Sequence, residues 1–249
     1  MTNLLILGGT TEASALAAEC AAGGIAATLS YAGRTAAPAR QPVAVRVGGF
    51  GGVAGLAAYM RDQRVTHVVD ATHPFAARIS ANAVAAAEAI GVPLIALGRP
   101  AWAAREGDRW TRVADIAGAV AALGGPARRV MLALGRMHVE AFAAQPQHHY
   151  LLRFVDRPPI PPALPHHALV VDRGPFTLVG DGRLMKANGI DLVVAKNAGG
   201  SGAVAKIDAA RALGLPVLMI DRPAIPERPE VHDVAAVLRW LHHDAWRGV

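Results

Sequence analysis

Short apolar runs, most closed by Gly, Asp or Ser, alternate along the chain with alanine-rich stretches whose apolar positions recur every three or four residues. Unbroken apolar runs suit strands covered on both faces, and the helical period suits helices packed over them. In the first half the pattern predicts strands over 3–7, 26–30, 43–47, 66–70 and 93–97 and helices over 11–22, 52–63 and 75–90. In the second half it predicts strands near 129–134, 149–155, 168–172, 191–195 and 215–220 and helices near 136–144, 176–188 and 203–213. This is the alternation of a parallel α/β fold. The stretch RPPIPPALPHH (157–167) breaks it, because proline removes helix donors. A stiff extended connection is expected there in place of a crossover helix, serving either as a cleft wall or as a surface connector.

The chain echoes itself. GVPLIALGRPAW (91–102) matches GLPVLMIDRPAI (214–225), with Gly-x-Pro and Arg-Pro-Ala in the same order. Similar helices follow each copy, VADIAGAVAAL (113–123) and VHDVAAVLRWL (231–241), and HVVDATHPFA (67–76) or LVVAKNAGGSGA (192–203) precedes it. Duplication explains this best. It predicts two domains, 1–125 and 126–249, with the last helix of each half a candidate for exchange onto the other.

Composition narrows the function classes. Apolar residues make up 53% of the chain, yet no run approaches the ~20 residues of a membrane span. The first strand follows Met1 at once with no basic leader, so no signal peptide and a cytoplasmic location are expected. Cys20 is the single cysteine, which excludes an intrachain disulfide and reads as a small core residue. The formal net charge is +6, and Lys186, Lys196 and Lys206 are the only lysines, so the other cations are arginines. Those arginines are scattered and aromatics are 5%, which disfavours nucleic-acid binding.

In doubly wound sheets, ligands bind beyond the carboxyl ends of the strands, so the residues after each strand carry the chemistry. After the first strand come Gly8, Gly9, Thr10, Thr11 and Glu12. Two glycines allow close backbone approach, threonine hydroxyls can donate to phosphate, and a helix amino end supplies N–H groups. The plainer reading makes Thr10 or Thr11 an N-cap. After the second strand come Ser30, Tyr31 and Arg34, with no acid before Asp62. An acid here would bind a ribose 2′-hydroxyl, so its absence beside an arginine suits a 2′-phosphate, hence NADP. GGFGG (48–52) follows the third strand, and Thr72, His73 and Pro74 follow the fourth, with Pro74 expected in the first helical turn. In the second half, Arg136 follows one strand and Asp172 and Arg173 another, while Lys196, Asn197, Gly199, Gly200 and Ser201 lead into a helix. This last group offers a backbone nest for an anion or a flat ligand, and it is not a Walker loop because the lysine precedes the glycines.

LILGGTTEA, DATHPFA, RGPF and KNAGGSGA, in that order and over essentially the whole chain, resemble the precorrin-6A reductase family of cobalamin biosynthesis. The resemblance implies two Rossmann-like or flavodoxin-like parallel-sheet domains facing a central cleft. NADPH and a tetrapyrrole are expected in that cleft, with a macrocycle double bond of precorrin-6A reduced to give precorrin-6B. The macrocycle's carboxylates then make Lys196, Asn197, Gly199, Gly200 and Ser201, with Arg136 and Arg173, the expected substrate ligands. His73, Lys196 and Asp172 are candidate proton donors, Asp172 only if burial raises its pKa. No metal or membrane partner is expected, and contacts with neighbouring pathway enzymes are. Alternatives are the cobalt-precorrin-6A reductase of the anaerobic route and a non-catalytic NADP-sensing protein. The Tyr-x-x-x-Lys of short-chain dehydrogenases is absent after Tyr31, Tyr59 and Tyr150. The histidine pairs 148–149, 166–167 and 242–243, which a tetrapyrrole chelatase would need as metal ligands, lack ligand spacing and read as solvated loops.

This reading makes Arg34→Ala weaken NADPH far more than NADH. Losing one charge-assisted contact costs about 1.5–3 kcal/mol, or about 10- to 150-fold in Kd, measurable by nicotinamide fluorescence titration. Equal weakening of both cofactors would remove Arg34 from the phosphate site.

Overall fold

The computed structural model describes residues 2–33 and 40–247, with side chains described as far as 242. Arg34, expected at the cofactor's 2′-phosphate, lies outside the described residues.

The chain forms two compact units. The first holds Met1–Pro100 and Ala224–Val249, and the second holds Ala101–Pro223. In the first, β1 (Asn3–Leu7), α1 (Thr11–Ala22), β2 (Ala26–Tyr31), β3 (Ala44–Val47), α2 (Gly52–Asp62), β4 (His67–Asp70), α3 (Ala77–Ile90) and β5 (Leu94–Leu97) follow in order. The second contains β6 (Arg109–Val113), α4 (Ile116–Ala121), β7 (Arg129–Ala133), a 3-10 helix (Arg136–Ala144), β8 (His149–Phe154) and β9 (His167–Val171). It continues through α5 (Leu178–Ala187), β10 (Leu192–Lys196), α6 (Ala205–Ala212) and β11 (Pro216–Ile220). The chain then returns to the first unit as β12 (Glu230–Val231) and α7 (Val234–Arg247).

Both sheets have six strands, all parallel, in orders β3-β2-β1-β4-β5-β12 and β9-β8-β7-β10-β11-β6. Each is the 3-2-1-4-5-6 order of doubly wound dinucleotide-binding sheets. The unbroken apolar run of β1 has its cause here. Leu4 and Ile6 pack with α1 and α7 on one face, and Leu5 and Leu7 pack with α2 and α3 on the other. A strand covered on both faces has no polar side.

The chain does not divide at 125. The sixth strand of each sheet is supplied by the other half of the sequence. β6 follows β5 in the chain but pairs with β11, and β12 follows β11 but pairs with β5. The two crossings fall between Pro100 and Ala101 and between Pro223 and Ala224, the same point of the repeated Arg-Pro-Ala. Both crossing segments end in the same helix cap: Asp115 accepts from Gly118 N at 2.7 Å, and Asp233 from Ala236 N at 2.7 Å. The sequence pattern missed β6 and β12 because RWTRV is mostly polar and exposed on this edge and Glu230–Val231 is only two residues.

Two other expectations change. Arg136–Ala144 forms a 3-10 helix; it starts after Gly135, which has no side chain to cap it. His148 is not a solvated loop residue. It is 1% exposed, accepts from Arg128 N at 3.0 Å through Nδ1 and donates Nε2–H to Leu123 O at 2.7 Å. The prolines of 157–167 do replace a crossover helix between β8 and β9. Among the described residues no helix is long and apolar enough to cross a membrane.

Burial tunes two weak acids in this scaffold. It pushes the Cys20 thiol from 9.0 up to about 11, helped by the charge of Glu19. It also pushes the Tyr150 phenol from 10.0 up to about 12, and that O–H donates to Gln145 O at 2.8 Å. Both folded pKa values lie above the unfolded ones, so the folded state holds these protons longer. Their contribution is complete below the unfolded pKa of Cys20, 9.0, and is lost as pH rises through the folded values. The urea midpoint should therefore fall as pH rises beyond 9.0, and Tyr150→Phe should flatten the part of the fall beyond 10.0. An alkaline midpoint that does not move would contradict this.

Candidate active site

At the carboxyl end of β1 the ladder continues one step, with Gly8 N donating to Ser30 O at 2.9 Å. A Cβ on Gly8 would meet Leu29 Cδ1 at 2.5 Å, so the turn hugs β2. Gly9 has φ 117°, which L side chains rarely adopt, and open space lies where its Cβ would be. Thr10 is the N-cap of α1: its Oγ1 accepts from Ala13 N at 3.2 Å and donates to Ala71 O at 2.7 Å. That single O–H is therefore spent on tying the β1 turn to the β4 turn, and Thr10 is no phosphate donor. Thr11 Oγ1 donates to Glu12 Oε2 at 3.0 Å. What the turn offers an anion is the first-turn backbone N–H groups, which no helix start can pair internally. Glu12 places a negative charge beside them, and Arg99 NH1, 3.7 Å from Glu12 Oε1, offsets it.

The β4 turn is built on Asp70. Its Oδ1 accepts from Thr72 N at 3.2 Å and Thr72 Oγ1 at 2.7 Å, and Thr72 Oγ1 lies 3.2 Å from Ser80 Oγ on α3. Asp70 Oδ2 lies 3.1 Å from Arg228 NH2, an ion pair without hydrogen-bond alignment, the two side chains being 1% and 14% exposed. His73 Nδ1 accepts from Phe75 N at 3.2 Å, which fixes that nitrogen as unprotonated. Pro74 precedes α3 rather than opening it, since the helix starts at Ala77. Beyond β2, Ser30 is buried and Tyr31 half-buried, and Arg46 of β3 lies beside Ser30, with NH1 3.4 Å from its Oγ.

In the second unit Lys196 ends β10 and Asn197 opens the glycine turn. Both ends of the Asn197 amide are engaged, each once: Oδ1 accepts from Trp102 N at 2.8 Å and Nδ2 donates to Trp102 O at 2.9 Å. Asn197 thus anchors the chain just after its crossing. Trp102 Nε1 donates to Gly200 O at 2.8 Å, and Arg222 donates to Asn197 O at 3.0 Å and Ala198 O at 3.2 Å. Gly199 and Gly200 both have φ 69°, and Ser201 is exposed beside them. Of Arg99 and Arg222, equivalent in the repeat, the first pairs with Glu12 at the start of α1 and the second holds the carbonyls that lead into the glycine turn. Arg136 is exposed. Arg173 is paired with Asp156, which takes up its charge. Asp172 is exposed, so the burial its donor role required is missing. It lines a pocket of about 410 Å³ with Val170, Phe176, Asp181 and Arg183. Among the described residues no group of three or more His, Cys, Asp or Glu could hold a metal ion.

Sequence reasoning missed Asp70, Arg99, Arg222, Arg228, Trp102 and Arg46. The repeated Arg-Pro-Ala marked Arg99 and Arg222, but nothing in the pattern reveals which loop a distant arginine reaches.

Breaking a buried pair leaves the other charge uncompensated. Asp70→Ala should lower the unfolding free energy by about 3–5 kcal/mol. The double variant Asp70→Asn with Arg228→Met should cost less than the sum of the two single changes, measured by urea unfolding. Additive costs would show that the pair is not energetically coupled.

Known proteins agree with this architecture. The family model "Precorrin-6x reductase CbiJ/CobK" matches residues 3–242. The precorrin-6A reductase of Rhodobacter capsulatus is 57% identical over 251 residues, covering 100% of both chains. That of a Sinorhizobium species is 47% identical, covering 96% of this chain and 92% of its own. A solved structure described as CobK precorrin-6A reductase superposes with a TM-score of 0.94 at 57% identity, covering 98% of this chain and 97% of that one. With its two parallel sheets, its glycine turns and a match along nearly its whole length, the chain belongs to the CbiJ/CobK precorrin-6x reductase family.

Proposed function

We propose that this chain reduces one macrocycle double bond of precorrin-6A with NADPH, giving precorrin-6B, in the cytoplasm. The observation that carries the reading is the β1 turn. Gly8 brings the backbone close against Leu29, and Gly9, at φ 117°, has open space where a side chain would stand. The first unit fits a phosphorylated dinucleotide: Ser30 and Tyr31 supply no acid, and a guanidinium lies beside Ser30. Gly8, Gly9 and the first-turn amides of Thr11 and Glu12 would hold the pyrophosphate. Thr72, His73 and Pro74 line the neighbouring turn.

Bound NADPH supplies the hydride, and the protein supplies position and field. In the second unit, Lys196, the Gly199–Gly200 nest, Ser201 and Arg136 would take substrate carboxylates. Asn197 and Trp102 hold that turn in shape. A proton must reach the carbon beside the one that accepts hydride, and water, the macrocycle, His73 or Lys196 can supply it. Of these, His73 requires Nε2 to carry the proton, since Nδ1 is an acceptor in this structure. The metal-free substrate is favoured over its cobalt counterpart by the 57% and 47% identical precorrin-6A reductases.

Anaerobic incubation with NADPH and precorrin-6A should consume both, followed by nicotinamide and macrocycle absorbance. NADPH binding without turnover would favour a sensing protein instead. With no side chain essential as acid, His73→Asn and Lys196→Met should each lower kcat by less than the ~10²–10⁴-fold expected of a lost general acid. A larger drop with intact NADPH binding and a changed pH–rate profile would identify the donor.

A further inference from the structure

We infer that Arg46 is the fixed recognition residue for the cofactor's 2′-phosphate and sets the preference for NADPH over NADH. The inference rests on the dinucleotide reading above and adds a residue to it.

Arg46 is the direct parallel-strand partner of Ser30, so their side chains share one face of the sheet. Its guanidinium bends toward the strand ends, donating NH1 to Gly48 O and NH2 to Gly49 O, each at 2.6 Å. Its carbon lies 3.7 Å from the Phe50 ring centroid and 5.1 Å from that of Tyr59. Two carbonyls and an aromatic face thus fix the plane before any ligand arrives, and N–H donors of the fork remain. Arg46 forms no ion pair among the described residues. Its charge is tied to neutral groups, at the place where an adenosine ribose meets a doubly wound sheet.

The second unit offers a comparison. There too a phenylalanine stands just ahead of the helix after the third strand, Phe50 before α2 and Phe176 before α5. There too a guanidinium covers that ring, although it comes from β8, the counterpart of β2: the Arg153 guanidinium carbon lies 3.9 Å from the Phe176 centroid. Arg153, however, is locked to Asp181, the fourth residue of α5, with both side chains buried. The fourth residue of α2 is Gly55, where a Cβ would meet Phe50 O at 1.8 Å. The first unit has no room for the carboxylate that neutralises the guanidinium in the second. One aromatic-backed arginine is consumed as structure, and the other keeps its charge for an incoming anion.

The competing role for Arg46 is to brace the Gly48–Gly49 turn. The intact chain and its Arg46→Gln and Arg46→Lys variants would be titrated with NADPH and NADH by fluorescence, and with 2′,5′-ADP and 5′-AMP by calorimetry. Arg46→Gln should weaken NADPH and 2′,5′-ADP by about 10- to 150-fold, with NADH and 5′-AMP changed less than about threefold. Arg46→Lys should fall between, keeping the charge but losing the fork. Equal weakening of all four ligands, or of none, would assign Arg46 to the turn and overturn the inference. If the unsubstituted chain prefers neither NADPH nor 2′,5′-ADP, the cofactor reading fails at its first step and this one with it. If Arg46→Gln does not fold, Arg46→Lys decides by the same ratio of phosphorylated to unphosphorylated ligand.

Discussion

A carboxylate almost wholly buried at the end of β4 cannot stand alone, and Asp70 takes its countercharge from Arg228, near the far end of the chain. Removing a charge from water costs several kcal/mol unless it is paired and hydrogen-bonded. Asp70 meets that requirement with Arg228 on one oxygen and Thr72 on the other. The β4 turn, which carries His73, thereby depends on a segment that enters the first unit only after the second is complete. Thr10 extends the same dependence to the β1 turn through its hydrogen bond to Ala71 O. A local electrostatic demand thus joins the β1 and β4 turns to the strand exchange.

The two units show how a duplicated design diverges. The strand order, the crossing point, the aspartate caps and the inward-folded Arg99 and Arg222 are shared. The turns they support are not. In the first unit Gly9 leaves open space ahead of a capped helix, whereas in the second paired left-handed glycines are pinned by Trp102 and Arg222. In the proposed reading, one turn takes a pyrophosphate across a helix start, and the other takes carboxylates gathered by N–H groups and a lysine.

Much of the fold was legible because buried parallel strands write themselves as unbroken apolar runs, and LLIL in β1 and LVVA in β10 stand out for that reason. β6 and β12 were not, since edge strands half open to water carry no such run. The glycine turns were readable because backbone shape demands particular residues. Side-chain partnerships were not. Asn197 looked like a ligand because a polar residue after a strand usually faces the ligand, yet its amide serves Trp102. Arg173 reads as available along the chain, but Asp156 pairs with it in the fold. Such pairings depend on tertiary neighbours that no local pattern encodes.

The position of β12 sets a schedule for synthesis. A ribosome that has delivered residues 1–100 has made five strands of the first sheet, with β5 paired to β4 on one side and bare on the other, where its outward N–H and C=O groups lack a partner. The strand that covers it is encoded at Glu230–Val231, after the whole of the second unit. The amino-terminal half must therefore wait for the carboxyl-terminal one, and the usual order in which domains finish folding as they emerge does not hold. A nascent chain of this kind has its most exposed edge throughout elongation, and a chain broken anywhere before that strand leaves an unfinished sheet rather than a smaller working domain.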